Sequence, residues 1–132
     1  MRRIAPVLLA GLLAAGCGGE AGDLMAIEVT GGKARGGDLD IVIASDGRAT
    51  CNGGEEESIP SDVVIDAREL ERELGDLADE GATFGSGRDD QREYVVRIDN
   101  GTVRWAEGAP DLPPELPQTQ LLALRLDRLV CR

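Results

Sequence analysis

The sequence predicts an α+β domain, built as a four-stranded antiparallel sheet with two helices packed on one face in the order β-β-α-β-β-α. Four segments alternate apolar with polar residues, and they form two couples that are each joined by a glycine-containing turn. Two other segments repeat apolar residues at helical spacing, one between the couples and one at the end of the chain. Because antiparallel strands bury one face, both helices are expected on that face.

The first strand couple lies on either side of a glycine-rich turn. Its first strand ends at Thr30, and its second strand ends at the turn Asp46-Gly47. The apolar side chains of the two strands are Met25, Ile27, Val29, Leu39, Ile41 and Ile43. The turn consists of Gly31, Gly32, Lys33, Ala34, Arg35, Gly36 and Gly37. It lacks the G-K-[ST] of a phosphate-binding loop and no helix pattern follows it, so a hairpin connection is expected.

An acidic loop at residues 52–60 precedes the first helix and contains three adjacent glutamates. The alternating ligands of a calcium loop are missing, so we expect a solvated charge run and no metal site. The helix itself is predicted from Asp66, an N-cap with Glu69 three residues later, to a stop at Gly81. Ile65 is expected to contact Leu70 as a hydrophobic staple.

The second strand couple has Asn100-Gly101 as its predicted two-residue turn. The apolar residues of its strands are Tyr94, Val96, Ile98, Val103 and Trp105. A proline-rich connection follows, and Pro117 is expected in the first turn of a last helix, where its missing N–H costs little. The apolar stripe predicted for that helix is Leu122, Leu126, Leu129 and Val130.

The N-terminus has the pattern of an export signal. Arg2 and Arg3 precede about 12 apolar residues, well short of the ~20 that span a bilayer. The next residues, Ala-Ala-Gly-Cys, resemble the lipobox of bacterial lipoproteins, which implies cleavage before Cys17 and lipidation of Cys17. A secretory signal cut at the same bond is the alternative, because Ala14 and Gly16 satisfy the small-x-small rule. The predicted organisation is a signal peptide at 1–16, a lipidated cysteine and tether at 17–23, and one domain at 24–132.

The charge of the mature chain limits its partners. Removal of residues 1–16 takes away two of 14 basic residues and leaves 25 acidic ones, a net charge of −13. Phosphates would be repelled, so no nucleic-acid partner is expected, and the membrane is expected to be reached through the N-terminal lipid. Acidity by itself indicates solubility.

Cys51 and Cys131 are the cysteines that remain after Cys17. Export places them in an oxidising compartment, and they lack the C-x-x-C spacing of a redox or metal pair. A disulfide between them is therefore expected. It would close a loop of about 80 residues and stabilise the fold by roughly 4 to 5 kcal/mol.

Catalysis is not expected from this composition. The chain contains no histidine, which excludes Ser-His and Cys-His nucleophiles and imidazole metal ligands. Carboxylates are plentiful, but the sequence shows no apolar pocket that would raise the pKa of one of them. We expect no catalytic residue and no cofactor; a carboxylate hydrolase would require a deep pocket with two close carboxylates.

Three short motifs in matching order resemble the emfourin-like domain, a small α+β family whose named member inhibits a thermolysin-type metalloprotease. They are Thr30-Gly31-Gly32, the strand Asp90, Tyr94, Val96, Ile98 of the pattern D-x-[FY]-x-Y-x-[IV]-x-[IV], and Pro113-Pro114-Glu115-Leu116. Lys33 and Arg92 stand where the family has aromatic residues, while Pro117, Cys51 and Cys131 are additions. The resemblance implies that the Gly31 to Gly37 turn, or the acidic loops, enters a protease active-site cleft.

The expected protein is thus an exported, lipid-anchored, non-catalytic domain that binds a thermolysin-type protease or another envelope protein. The alternative is a structural or ligand-binding envelope lipoprotein without inhibitory activity.

Overall fold

The protein, in a computed structural model that describes residues 22–32, 37–85 and 91–131, contains a mixed sheet of seven strands and three helices. The strands are β1 Asp23–Gly31, β2 Leu39–Ala44, β3 Arg48–Cys51, β4 Glu57–Ser58, β5 Thr83–Phe84, β6 Arg92–Ile98 and β7 Gly101–Ala106. The helices are α1 Ser61–Glu73, α2 Gly75–Asp79 and α3 Glu115–Val130. Cys17 and the rest of the signal and tether up to residue 21 lie outside the described residues, as do Lys33, Ala34, Arg35 and Gly36.

β1 is the central strand of the sheet, whose order is β4-β3-β2-β1-β6-β7-β5. It pairs antiparallel with β2 on one side and with β6 on the other. All other neighbours are antiparallel except β5, which runs parallel to β7. The two predicted hairpins are therefore present as β1-β2 and β6-β7, and they meet through β1 and β6.

The predicted fold class, a four-stranded antiparallel sheet with two helices, is wrong in the number of strands, the strand directions and the number of helices. β3, β4 and β5 extend the sheet at both edges and are only four, two and two residues long. Strands this short show no alternation that a sequence pattern can reveal, because their pairing is determined by the neighbouring strand. β5 is held by backbone groups, since the Arg104 N–H donates to the Ala82 carbonyl oxygen at 3.0 Å.

The first helix begins six residues earlier than predicted, with its N-cap at Pro60, and is interrupted. α1 starts at Ser61 after Pro60, so Asp66 is an interior residue and not an N-cap. Ile65 is 55% exposed and cannot act as the predicted staple. The chain turns at Leu74 and continues as α2, which ends before Gly81. Pro60 supplies the fixed φ that precedes a helix, and the burial of Val63 and Ala67 places this early segment against the sheet.

The turn of the second hairpin is displaced by one residue from its prediction. Ile98 pairs with Gly101, so Asp99 and Asn100 form the turn and Gly101 is the first residue of β7. The strand lies close to α2 here, because a Cβ at Gly101 would lie 2.2 Å from the Ala78 carbonyl oxygen. Gly101 is needed for this contact between helix and strand.

One face of the sheet carries the hydrophobic core, and all three helices contribute to it. Each strand presents alternate residues to this face, as Ile27 does with its register partners Ile41 and Val96. From the helices, Val63, Leu74, Leu116 and Leu126 are fully buried. The opposite face carries small and charged side chains together with the half-buried Val42 and Val95, and it includes an ion pair between Arg97 and Glu28 at 3.8 Å.

Candidate functional site

The glycine-rich turn leaves the sheet at the end of β1 that is farthest from the N-terminus. Gly31, Gly32 and Gly37 all have positive φ, near +74°. A Cβ at Gly31 would lie 2.9 Å from the Gln91 carbonyl oxygen, so glycine is required there both for its φ and for space. The Gly31 N–H donates to Asp38 Oδ1 at 3.3 Å across the base of the turn. These contacts define where the turn starts. The two cationic residues of the turn, Lys33 and Arg35, lie outside the described residues.

A row of apolar side chains crosses the core face of the sheet at this same end. Leu39 pairs with Val29, Val29 with Tyr94, and Tyr94 with Trp105. The rings of Tyr94 and Trp105 are stacked, with centroids 5.3 Å apart and planes inclined by 9°. We call this row the platform; the stacked rings add to the stability of the strand pairing that holds them.

α3 forms a wall above this row and exposes two leucines. Leu121 is 67% exposed and Leu124 is 48% exposed, although Leu122, Leu126 and their neighbours on the other side of the helix are buried. Between this wall and the platform lies a groove of about 650 Å³, lined by Val29, Leu39, Arg92, Tyr94, Glu107, Pro117, Gln120, Leu121, Ala123, Leu124 and Asp127. Large exposed apolar side chains beside a groove are typical of a binding surface.

A second groove of about 610 Å³ continues from the first along α3 toward its C-terminus. It is lined by Leu39, Cys51, Asn52, Gly54, Glu55, Glu57, Asp127, Val130 and Cys131. Leu39 and Asp127 line both grooves, so the two are adjacent. We refer to the pair as the α3 cleft, with an apolar half at Leu121 and Leu124 and an acidic half at Glu55 and Glu57.

The expected disulfide is present and forms one wall of the acidic half. Cys51 at the end of β3 is joined to Cys131 directly after α3, with their Cα atoms 5.3 Å apart. Both half-buried cysteines contact the hydrophobic core. The bond therefore holds the C-terminal end of α3 against the sheet and maintains the width of the cleft at that end.

A third groove, of about 300 Å³, lies between α1 and α3 and contains the acidic side chains Asp66, Glu69 and Glu73. All three are exposed. Arg125 Nη1 lies 3.5 Å from Asp66 Oδ2, and Arg125 also binds the Asp62 carboxylate. The hydrogen bond from Arg125 lowers the pKa of Asp62 below its usual value. This arrangement is an exposed ion-pair network that links the two helices, and it lacks the burial that separates the pKa values of a catalytic acid and base.

The acidic loop before α1 remains open to solvent, with Glu55, Glu56 and Glu57 all exposed. Glu56 lies 3.4 Å from Arg48 on the neighbouring strand. Within the described ranges, no three acidic or cysteine side chains are placed to hold a metal ion. None of the helices in these ranges combines the length and apolar character needed to cross a membrane.

The predicted site residues are brought together only in part. Gly31, Gly32 and Gly37 lie at the same end of the sheet as the apolar half of the cleft, since Val29 and Leu39 line that half and flank the turn. The leucines of the cleft were not among the predicted site residues. The signal that could have found them was available, because Leu121 and Leu124 do not belong to the predicted buried stripe of this helix.

Comparisons of the chain with protein-family models, with curated proteins and with solved structures give no match.

Proposed function

We propose that this chain is an exported lipoprotein, anchored through Cys17, whose domain is a non-catalytic binding module for a thermolysin-type metalloprotease. The proposal combines the lipobox-like N-terminus, the emfourin-like motifs and the position of the turn. The observation that carries most weight is the course of β1, which runs from the tether at Asp23 directly to the turn at Gly31.

This course supports the proposal through the distance that it puts between an anchor at Cys17 and the turn. Cys17 precedes Asp23 by six residues, which span at most about 20 Å. β1 then adds about 26 Å at a rise of about 3.3 Å per residue. The Gly31 to Gly37 turn and the apolar half of the α3 cleft therefore lie at the end of β1 that is farther along the chain from the proposed anchor, which leaves room for a protease to reach them.

The anchor is tested by Cys17→Ser. We expect the protein to move from the membrane fraction to the soluble fraction, because the serine hydroxyl does not replace the thiol that receives the lipid. Gly18→Ser is the matched control, since it alters the neighbouring small residue and keeps the acceptor cysteine. Membrane retention of a processed Cys17→Ser protein would contradict lipid anchoring.

Inhibition is tested by titrating thermolysin with the full-length protein in detergent while cleavage of a peptide substrate is followed. We expect stoichiometric loss of activity without consumption of the domain. Replacing Lys33 and Arg35 by Ala should weaken inhibition, and Arg97→Ala should not, because Arg97 is an exposed cation on the sheet face opposite the core. Unchanged protease activity, or cleavage of the domain as a substrate, would refute the inhibitor assignment.

A further inference from the structure

The α3 cleft contains two different surfaces that an extended ligand would touch together. In its apolar half, Val29, Leu39 and Tyr94 form the floor, and Leu121 and Leu124 stand above it. Its acidic half carries Glu55, Glu57 and Asp127. Among the described residues, no Lys or Arg lines that acidic half.

The two halves of the cleft differ in charge, so its two ends are not equivalent for a ligand. The carboxylates lie toward the C-terminal end of α3, whereas Arg92 lies in the apolar half together with Glu107. Leu121 also borders the groove of Asp66, Glu69 and Glu73, where Arg125 pairs with Asp66. Within the α3 cleft, a ligand with apolar side chains on the floor would meet Glu55, Glu57 and Asp127 toward the Cys131 end, where no described Lys or Arg lines the groove. Its cations must lie on that side of its apolar side chains.

The same charges argue against other occupants. A lipid or nucleic-acid phosphate would be repelled by the three carboxylates. A second copy would bring another acidic cleft and another strongly negative domain against the first. An apolar segment without cations would leave the acidic half without a complementary partner.

We propose that the α3 cleft binds an extended segment of a partner protein in which apolar side chains are followed on one side by lysine or arginine. This inference rests on the proposed binding function and names the surface and the chemistry of the partner. The apolar side chains contact Leu121, Leu124 and the platform below them. The cations lie next to Glu55, Glu57 and Asp127.

The test is direct binding to the full-length protein in phosphatidylcholine nanodiscs, with empty nanodiscs as the blank. The probe is the fluorescein-labelled peptide Gly-Leu-Leu-Gly-Lys-Lys-Gly, followed by fluorescence anisotropy. Two sibling peptides replace both lysines by glutamate or both leucines by serine. We expect each sibling to bind about tenfold more weakly or worse, and the affinity of the parent peptide to fall as salt is added.

Variants identify the surface that is bound. Leu121→Gln together with Leu124→Gln should weaken binding of the parent peptide at least about tenfold, equivalent to about 1.4 kcal/mol. Both side chains are exposed, so the fold should tolerate the change. Ile65→Gln is the matched control, because Ile65 is an exposed apolar residue on α1 outside the cleft. We expect no change in affinity for that variant.

The acidic half has its own pair of variants. Glu55→Gln with Glu57→Gln should weaken binding of the lysine peptide about tenfold at low salt and make the affinity less dependent on salt. Asp79→Asn with Glu80→Gln removes the same number of charges from the exposed end of α2 and should have little effect. If the Glu55/Glu57 variant and the Asp79/Glu80 variant lose the same affinity for the peptide, only the net charge of the domain matters, and the proposal is overturned.

Other outcomes also decide against the cleft. Equal binding of all three peptides, or unchanged binding by the leucine variant, would overturn the proposal. Concentration-dependent dimerisation that is lost in the leucine variant would assign the surface to self-association instead. Thermolysin inhibition measured in parallel separates the two proposals. Inhibition without peptide binding refutes the cleft alone, and peptide binding without inhibition refutes the inhibitor alone.

Discussion

Removal of the disulfide is the perturbation whose effect on this domain follows most directly from the structure. Cys51→Ala together with Cys131→Ala releases the C-terminal end of α3 from β3 and opens a loop of 80 residues. In the chain-entropy treatment, a loop of this length restricts the unfolded state by about 4.5 kcal/mol at 25 °C. We expect the free energy of unfolding to fall by about that amount.

The expected loss is large compared with the total stability. A domain of roughly 110 residues unfolds with a net free energy of about 5 to 15 kcal/mol. With an unfolding entropy of about 2.1 cal/mol/K per residue, 4.5 kcal/mol corresponds to a Tm about 20 °C lower. The double variant should therefore unfold well below the oxidised wild type.

The assay is unfolding by heat and by urea, monitored through the fluorescence of Trp105. This residue is the one tryptophan of the chain and is 2% exposed in the fold, so unfolding exposes it to water. Reducing agent should lower the Tm of the wild type to that of the double variant. The same agent should leave the double variant unchanged, which is the internal control. A folded double variant that loses less than about 1 kcal/mol would refute the loop-entropy reasoning.

Gly101, Arg125 and Leu126 are three other positions at which the structure predicts the result of a substitution. Gly101→Ala should lower the free energy of unfolding in urea by more than about 2 kcal/mol, because its Cβ would lie 2.2 Å from the Ala78 carbonyl oxygen. Leu126→Ala should cost about 2 to 5 kcal/mol in the same assay, since Leu126 is fully buried. Arg125→Gln should raise the pKa of Asp62 toward its usual value, as measured by NMR titration of the carboxylate. Because the folded pKa of Asp62 lies below the unfolded value, the contribution of Asp62 to stability is present above about pH 4 and is lost as the pH falls through the folded pKa. The Arg125→Gln variant should therefore lose less stability on acidification than the wild type.

Three substitutions serve as controls for these results. Gly37→Ala also places alanine at a positive φ, but no atom of the described residues lies within 4 Å of its Cβ, so it should cost less than Gly101→Ala. Leu121→Ala removes an exposed leucine and should cost far less than Leu126→Ala. Arg68→Gln removes an arginine of α1 that donates to the Ser45 carbonyl oxygen, and it should leave the pKa of Asp62 unchanged. Equal losses of unfolding free energy in Gly101→Ala and Gly37→Ala, or in Leu126→Ala and Leu121→Ala, would contradict the prediction for that pair. An unchanged pKa of Asp62 in Arg125→Gln would contradict the prediction for the ion pair.

The parts of the fold that were predicted correctly are those with long periodic patterns. Alternation from Met25 to Ile43 and from Tyr94 to Trp105 is sufficient for two hairpins, because each buried face requires one register. The start of α1 was missed for the opposite reason. Val63, Val64 and Ile65 are β-branched and have no helical preference, and only burial of Val63 and Ala67 against the sheet places them in a helix.

The candidate site was less predictable than the fold, because its surfaces come from distant parts of the chain. Leu39, Tyr94 and Leu124 line one groove but lie in β2, β6 and α3. No local pattern relates such residues until the sheet order is known. The pairing of Cys51 with Cys131 was an easier inference, since the expected export and the assignment of Cys17 to the lipid left one partner for each.

The central position of β1 has a mechanical consequence. In a chain anchored at Cys17 and held by a partner at the opposite end of the sheet, tension enters at Asp23 and runs along β1. The hydrogen bonds to β2 and β6 lie perpendicular to this pull, so they are loaded in shear and must break together. An anchor attached to the two-residue edge strand β4 would instead load the few hydrogen bonds of a single strand pairing. A central β1 would therefore let an anchored domain resist a pull applied along this strand better than an edge strand would.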